Sequence, residues 1–167
     1  GKWLAASVYD QIHNNVALWN LTKSAEPELH RILTPINGAF GLTFSPDNRQ
    51  LLYAGQENTT TSRGQVFLWT LDSSKPTYEF TPEHYATSAV WSPDGKKFAL
   101  RGGNNEWSVY NAASGKLLWN GGYRANHNMS QLYFTQDNKL YFYDYTGGDW
   151  SFEYWDLAKA FQKNGRG

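Results

Sequence analysis

The chain has 167 residues, a formal net charge of zero and no cysteine. The lack of cysteine excludes disulfides and thiolate metal sites, and the balanced charge argues against a surface built to bind nucleic-acid phosphates. No apolar run exceeds four residues, so we expect neither a membrane-spanning helix nor the core of a signal peptide. Aromatic residues make up 17% of the chain, including eight tryptophans, and such side chains favour strands and bury large areas.

The first predicted elements are strands over 16–21 and 29–33. A tight turn with the sequence SPDN follows at 45–48, between two segments that alternate apolar and polar side chains. Proline suits the second place of a turn, the Asp side chain hydrogen-bonds nearby backbone, and Asn tolerates a positive φ. We therefore predict a hairpin here, followed by strands over 66–71 and 77–81.

The same order of elements returns twice more. A turn with the sequence SPDG at 92–95 precedes strands over 107–112 and 116–120, and Gly115 is placed for an unusual backbone angle. A TQDN turn at 135–138 precedes a strand over 152–157. An aromatic residue in the long strand and an aspartate in the tight turn recur as structural positions: Trp19, Trp69, Tyr110 and Trp155, and Asp47, Asp94 and Asp137.

Each unit of about 45 residues thus contains four strands, which is the make-up of a propeller blade. Helical periodicity is nearly absent, with one candidate turn of helix at 157–162. We predict an all-β protein, a β-propeller of four blades with mostly four antiparallel strands each. The expected blades, within a partial propeller over 1–167, span about 1–36, 37–83, 84–126 and 127–167.

These residues resemble the WD-repeat β-propellers. The SPDN and SPDG turns, the strands of the form V-x-L-W-x-L and one literal Trp-Asp pair at 155–156 carry the likeness, which spans nearly the whole chain. The stretch WSPDGKKFAL at 91–100 also resembles the related periplasmic Tol-type propellers. The family's Gly-His pair is absent, with His84 and His127 as candidate stand-ins, and its usual Asp is kept only at Asp149. We therefore expect an incomplete polar network and blades held by aromatic packing.

Gly1 aligns with Gly95, the last residue of the SPDG turn, so the first blade is expected to lack its innermost strand. The resemblance then implies the C-terminal four blades of a larger ring, usually of about seven. Such an arc would expose apolar sheet faces and open strand edges. Three arrangements would cover them: blades on another segment or polypeptide, a second copy that completes the ring, or tight closure of the four blades.

No pattern predicts catalysis, a cofactor or a metal site. The four histidines lack the spacing of metal ligands, and neither a nucleophile elbow, a phosphate loop nor an acidic pair stands out. The resemblance instead implies a non-catalytic scaffold that binds proteins on its flat faces, where Trp, Tyr and Arg dominate binding energies. The candidate contact residues are Arg63, His84, Tyr85, Trp107, His127 and Trp150.

Two of these, Trp107 and Trp150, have packing inside a blade as an alternative role. Two other functions also stay open at this point. One is a carbohydrate-binding propeller, suggested by 14 Asn and eight Trp residues, and the other is the accessory propeller of a larger enzyme. The compartment is left open, with the cytoplasm favoured, and no nucleic-acid or membrane partner is expected.

Overall fold

The computed structural model describes residues 2–9, 14–22, 26–33, 37–56, 60, 63–103, 106–121, 131–146 and 149–157. The strands of this part, in chain order, are β1 (Trp3–Tyr9), β2 (Asn14–Asn20), β3 (Glu28–Leu33), β4 (Asn37–Phe44), β5 (Gln50–Gln56), β6 (Gly64–Thr70), β7 (Tyr78–Phe80), β8 (Ala86–Trp91), β9 (Lys97–Gly102), β10 (Trp107–Asn111), β11 (Leu117–Asn120), β12 (Leu132–Phe134), β13 (Lys139–Thr146) and β14 (Asp149–Asp156).

The described strands form four antiparallel sheets, and every pairing joins strands that are neighbours in the sequence. The first sheet is β1-β2-β3, the second β4-β5-β6-β7, the third β8-β9-β10-β11 and the fourth β12-β13-β14. Each sheet lies inside one of the four predicted blade ranges. The prediction of an all-β chain organised as four successive antiparallel sheets is confirmed.

Buried apolar side chains of the described residues form clusters between neighbouring sheets. Leu51 packs toward the first sheet, whereas Leu52 packs toward the third. Phe98 and Ala99 divide in the same way between the second and fourth sheets. Because successive side chains of a strand point to opposite faces, the two inner sheets are apolar on both sides. The four sheets are therefore stacked face to face in chain order.

The repeated aromatic position packs each sheet against the preceding one. Trp69 belongs to the cluster shared with the first sheet, Tyr110 to the cluster shared with the second, and Trp155 to the cluster shared with the third. Trp69 Nε1 also donates to the hydroxyl of Tyr53 at 3.0 Å. Trp19, in the first sheet, is half-buried. This position thus supplies much of the contact between sheets, as the predicted aromatic packing requires.

The three predicted hairpin turns have the predicted backbone. The angle φ is 56° at Asn48, 67° at Gly95 and 59° at Asn138, in the left-handed region that Asn and Gly tolerate best. In each turn the backbone N of this residue donates to the carbonyl of the Ser or Thr three positions earlier, at 2.9 Å. The residue types that marked the turns in the sequence are the ones that this geometry needs.

A hydroxyl and a carboxylate close each turn. The buried Ser92 Oγ donates to Asp94 Oδ1 at 2.6 Å and accepts from the backbone N of Lys97 at 2.9 Å. The same carboxylate oxygen accepts from the backbone N of Lys96 at 3.0 Å. The other two turns repeat this pairing, between Ser45 and Asp47 and between Thr135 and Asp137.

These hydrogen bonds make the stability depend on pH. Burial alone raises the pKa of Asp94, but the bonds from Ser92 and Lys96 outweigh it, so the pKa lies below the ordinary 3.8. A carboxyl with a lowered folded pKa contributes stability above its unfolded pKa and loses it as the pH falls through the folded value. We expect the stability gap between the wild type and Asp94→Asn to narrow between about pH 6 and pH 2.5, measured by urea unfolding.

The exposed Asp72 provides the control, because it lies outside the three tight turns. The gap between the wild type and Asp72→Asn should change less over the same range than the gap for Asp94→Asn. A gap for Asp94→Asn that stays constant or widens on acidification would contradict a carboxylate stabilised by the turn.

The short outer strands also follow the prediction. The segments 77–81 and 116–120 contain β7 and β11, and Gly115 has a φ of 66°. Asn111 Oδ1 accepts from the backbone N atoms of Ala113 and Ser114, both at 3.0 Å, which closes the turn before β11. The candidate turn of helix at 157–162 lies outside the described residues apart from Leu157.

The first strands of the second and third sheets approach each other closely at Gly41. A Cβ at this position would lie 2.9 Å from the backbone N of Ala89 and 3.0 Å from the carbonyl carbon of Ser88. Real Cβ atoms essentially never approach other heavy atoms this closely. Glycine here therefore sets the spacing between β4 and β8.

Candidate functional site

The strongest grouping of predicted contact residues lies at one end of the second and third sheets. Here β5 ends and β6 begins, and the chain passes from β7 to β8. We call this end the upper face; the tight turns at 45–48 and 92–95 lie at the opposite end. The backbone N of Gly64 donates to the carbonyl of Pro82 at 3.2 Å, and that of Gly103 donates to the carbonyl of Tyr85 at 3.0 Å. The first bond extends the pairing of β6 with β7, and the second extends the pairing of β8 with β9.

Three of the six predicted contact residues, Arg63, His84 and Tyr85, meet here. A Cβ on Gly64 would lie 2.5 Å from the carbonyl oxygen of His84 and 3.0 Å from the Cα of Tyr85. Arg63 directly precedes this glycine and is exposed, whereas His84 and Tyr85 are half-buried. The fold thus brings together residues about 20 positions apart in the sequence.

His84 makes a polar contact that the sequence pattern did not reveal. Its Nε2 lies 3.0 Å from Oε1 of Glu106, and both side chains are partly buried. The family pattern places an aspartate at position 105, where this chain has Asn105. The next residue, Glu106, supplies a carboxylate to His84. The third sheet therefore has a polar contact at a point where the sequence predicted a gap in the polar network.

Tyr85 packs into a small aromatic and basic group. Its ring covers Gly103, where a Cβ would lie 2.2 Å from Tyr85 Cζ. The ring centroid of Phe40 lies 6.3 Å from that of Tyr85, and Phe40 is 56% exposed. Burial lowers the pKa of the nearby Arg101 guanidinium, and Tyr85 partly offsets this shift. The upper face therefore combines exposed and half-buried rings with basic side chains.

Phe40 did not emerge from the sequence pattern because it lies at a break in the strand. The register of β4 against β5 shifts between Ala39 and Gly41, and Phe40 is the extra residue. The third sheet has the same shift between Ala86 and Ser88, and there the extra residue is Thr87. Such bulges redirect one side chain and occur often beside functional sites. The closely spaced glycines of β4 were the available signal.

Trp107 has the packing role rather than the surface role. It is 1% exposed, and its ring centroid lies 4.1 Å from that of Trp119, 5.3 Å from that of Trp155 and 6.1 Å from that of Phe142. This aromatic cluster joins the third and fourth sheets. The hypothesis that Trp107 is an exposed anchor for a partner is corrected accordingly.

Two predicted contact residues remain, His127 and Trp150. His127 lies outside the described residues. Trp150 lies in β14, and its side chain is outside the described part. Across the described residues, no group of three or more His, Cys, Asp or Glu is placed to hold a metal ion. The same residues contain no helix that is long and apolar enough to cross a bilayer.

A cleft of about 300 Å³ separates the second and third sheets beside the upper face. His84 and Glu106 line its upper part, and Phe80, Leu100 and Tyr110 form apolar walls. The short strand β7 and the segment that follows it form one side, and the third sheet forms the other. This cleft lies directly beside His84, one of the predicted contact residues.

No protein-family model matches the chain, and no curated protein matches it. Many solved structures are similar, among them the following two. Hsv2 of Kluyveromyces lactis with a complete loop 6CD has a TM-score of 0.60 and 12% identity, over 86% of this chain and 42% of that one. Hydrazine synthase of Kuenenia stuttgartiensis has a TM-score of 0.66 and 14% identity, over 86% of this chain and 41% of that one.

At these identities the likeness shows the fold alone. The chain spans about two fifths of the length of either structure. Together with the face-to-face stack of four antiparallel sheets, the likeness defines the class: the sheets are blades of a β-propeller, as the sequence predicted.

Proposed function

We propose that this propeller is a non-catalytic scaffold of the WD-repeat type that binds a protein partner through its upper face. The observation that carries the proposal is the meeting of Arg63, His84 and Tyr85 beside the exposed ring of Phe40. Aromatic and arginine side chains supply most of the binding energy at protein interfaces. Loops and strand ends on a rigid scaffold are the usual positions of such sites.

We further propose that the four blades belong to a larger ring. In the third sheet Val109 is buried against the fourth. At the matching register position of the fourth sheet, Tyr154 is exposed. On the first sheet, Leu4 and Leu29 are exposed as well. Apolar faces of this kind are normally covered in propellers and in monomeric proteins generally.

A carbohydrate-binding propeller is the alternative from another class. Such a protein would present the same exposed side chains on each blade. The two described bulges differ, since Phe40 in the second sheet corresponds to Thr87 in the third. This difference favours one asymmetric partner surface over a repeated sugar site.

The proposal predicts that Arg63→Ala and Phe40→Ala weaken capture of a protein partner by about tenfold or more, because truncation of a hot-spot residue costs about 2 kcal/mol or more. The measurement is affinity capture with the immobilised chain, followed by titration of each captured protein. Arg63→Ala should change the free energy of unfolding by less than about 0.5 kcal/mol, as exposed substitutions do.

Matched controls lie away from the upper face. Lys116→Ala removes an exposed cation near the opposite end of the third sheet, and Tyr154→Ala removes a ring that is 58% exposed, slightly more than the 56% of Phe40. The control variants should leave binding unchanged. Binding that survives both upper-face variants would place the contact elsewhere and end the proposal.

A further inference from the structure

The cleft between the second and third sheets exists because β7 is short. This strand has three residues, and it pairs only with Val66, Phe67 and Leu68. Phe80 still packs on Tyr110, with ring centroids 4.9 Å apart. The chain stays beside β6 as far as Pro82, whose carbonyl accepts from the backbone N of Gly64, and then passes to β8. Leu117, which lines the cleft, is 47% exposed.

The lining is apolar at the walls and acidic at the rim. Phe80, Leu100 and Leu117 supply apolar surface, whereas Glu83 and Glu106 supply two carboxylates. Among the described lining residues, none is lysine or arginine. Glu106 lies 3.0 Å from His84, whereas the exposed Glu83 places a negative charge at the rim. The described lining therefore combines an acidic rim with an apolar floor.

The buried ring of Tyr110 belongs to the apolar wall of the cleft. It is 7% exposed, and its ring centroid lies 5.3 Å from that of Phe98 and 4.9 Å from that of Phe80. Lysine and arginine combine a cationic head with an apolar stem, which matches a cleft with an acidic rim and apolar walls. Its volume of about 300 Å³ is at the lower end of the range of small-ligand sites.

We propose that this cleft binds a basic side chain, lysine or arginine, presented by the protein partner. The proposal deepens the scaffold function and rests on it for the source of the side chain. The stem of the side chain packs on Phe80 and Leu117, and its charged head lies at Glu83 and Glu106. The cleft then gives the upper-face interaction a preference for partners with a basic residue at one position.

The test uses n-butylammonium as a probe for the lysine side chain and n-butanol as its neutral counterpart. We expect n-butylammonium to shift the backbone amide signals of Ser108, Leu117 and Asn120 in NMR spectra of the ¹⁵N-labelled chain. The shifts should saturate at millimolar concentrations of the probe, because a ligand of few atoms binds weakly. n-Butanol should bind at least about fivefold more weakly, because it lacks the charge that the carboxylates attract.

Two variants locate the binding. Glu106→Gln and Glu83→Gln should each weaken n-butylammonium binding at least about threefold, by removal of one carboxylate charge. Glu83 is exposed and outside the His84 contact, so its variant stays informative even where Glu106→Gln perturbs the fold. Glu79→Gln is the matched control, since Glu79 lies on β7, is exposed and is outside the cleft. It should leave binding unchanged.

Equal binding of n-butanol and n-butylammonium would overturn the proposal, and so would binding that neither glutamate variant weakens. These results are separable from failure of the scaffold function. Capture that is insensitive to Arg63→Ala and Phe40→Ala would refute the upper-face interaction but leave a cation-binding cleft in place. Capture that depends on Arg63, combined with no charge preference in the cleft, would refute the cleft alone.

Discussion

Replacement of Trp107 by alanine is expected to lower the free energy of unfolding by about 3–5 kcal/mol. The indole is 1% exposed and packs against Trp119 and Trp155. Its removal leaves a cavity between the third and fourth sheets, and the surrounding side chains relax only partly into such a space. Urea unfolding followed by circular dichroism measures the loss.

Trp107→Phe should cost clearly less, because a smaller ring still fills part of the space. Tyr154→Ala is the exposed control of the fourth sheet and should cost less than about 1 kcal/mol. A loss for Trp107→Ala no larger than that for Tyr154→Ala would show that the aromatic cluster does not join the third and fourth sheets.

Replacement of Gly41 by valine is expected to cost about 3 kcal/mol, at the upper end for overpacked positions. The new Cβ would meet backbone atoms of Ser88 and Ala89 at 2.9 to 3.0 Å. Backbone cannot rotate away as a flexible side chain does, so β4 and β8 must separate. The second and third sheets would then lose packing along their whole contact, and the thermal midpoint should fall accordingly.

Gly41→Ala should show a smaller loss of the same sign. Thr43→Val, two positions along the same strand, controls for the effect of a β-branched residue on strand propensity and should change stability little. Adding Ala89→Gly to Gly41→Ala should restore only part of the lost stability, because the backbone N of residue 89 remains in the way. A neutral or stabilising Gly41→Val would contradict the close approach of the two strands.

The strands and turns were accessible from the sequence because they depend on neighbouring residues. Alternation predicts strands, and Asn48, Gly95 and Asn138 supply the positive φ that each tight turn requires. The sequence identified Arg63, His84 and Tyr85 as separate candidates but did not predict that they lie together. Their meeting depends on how the second sheet stacks on the third, which no local pattern encodes.

Which face a strand residue occupies could not be read from alternation. Trp107 and Tyr110 lie in one strand but pack toward different sheets, because an inner sheet is apolar on both sides. The sequence therefore left the surface and packing roles of Trp107 open. Glu106 was missed for another reason. The pattern predicts a carboxylate at position 105, and the chain has one at position 106.

The fourth blade shows how a difference of one residue changes the alignment of the repeated units. Phe134 pairs with Leu140, whereas Phe44 pairs with Leu51, so the turn at 135–138 is followed by one residue fewer. Alignment on the turn alone would match Tyr141 with the buried Leu51. A shift of one position exchanges the two faces of a strand, and Tyr141 instead corresponds to Leu52.

The strictly sequential pairing of the described strands has a consequence for how the chain folds. Each hairpin closes a short loop, and the entropic cost of closure grows with loop length. Proteins rich in contacts between nearby residues fold faster than those that must join distant segments. A blade can thus assemble while later blades are still being synthesised on the ribosome, and docking of finished blades, rather than a search for remote strands, becomes the slow event.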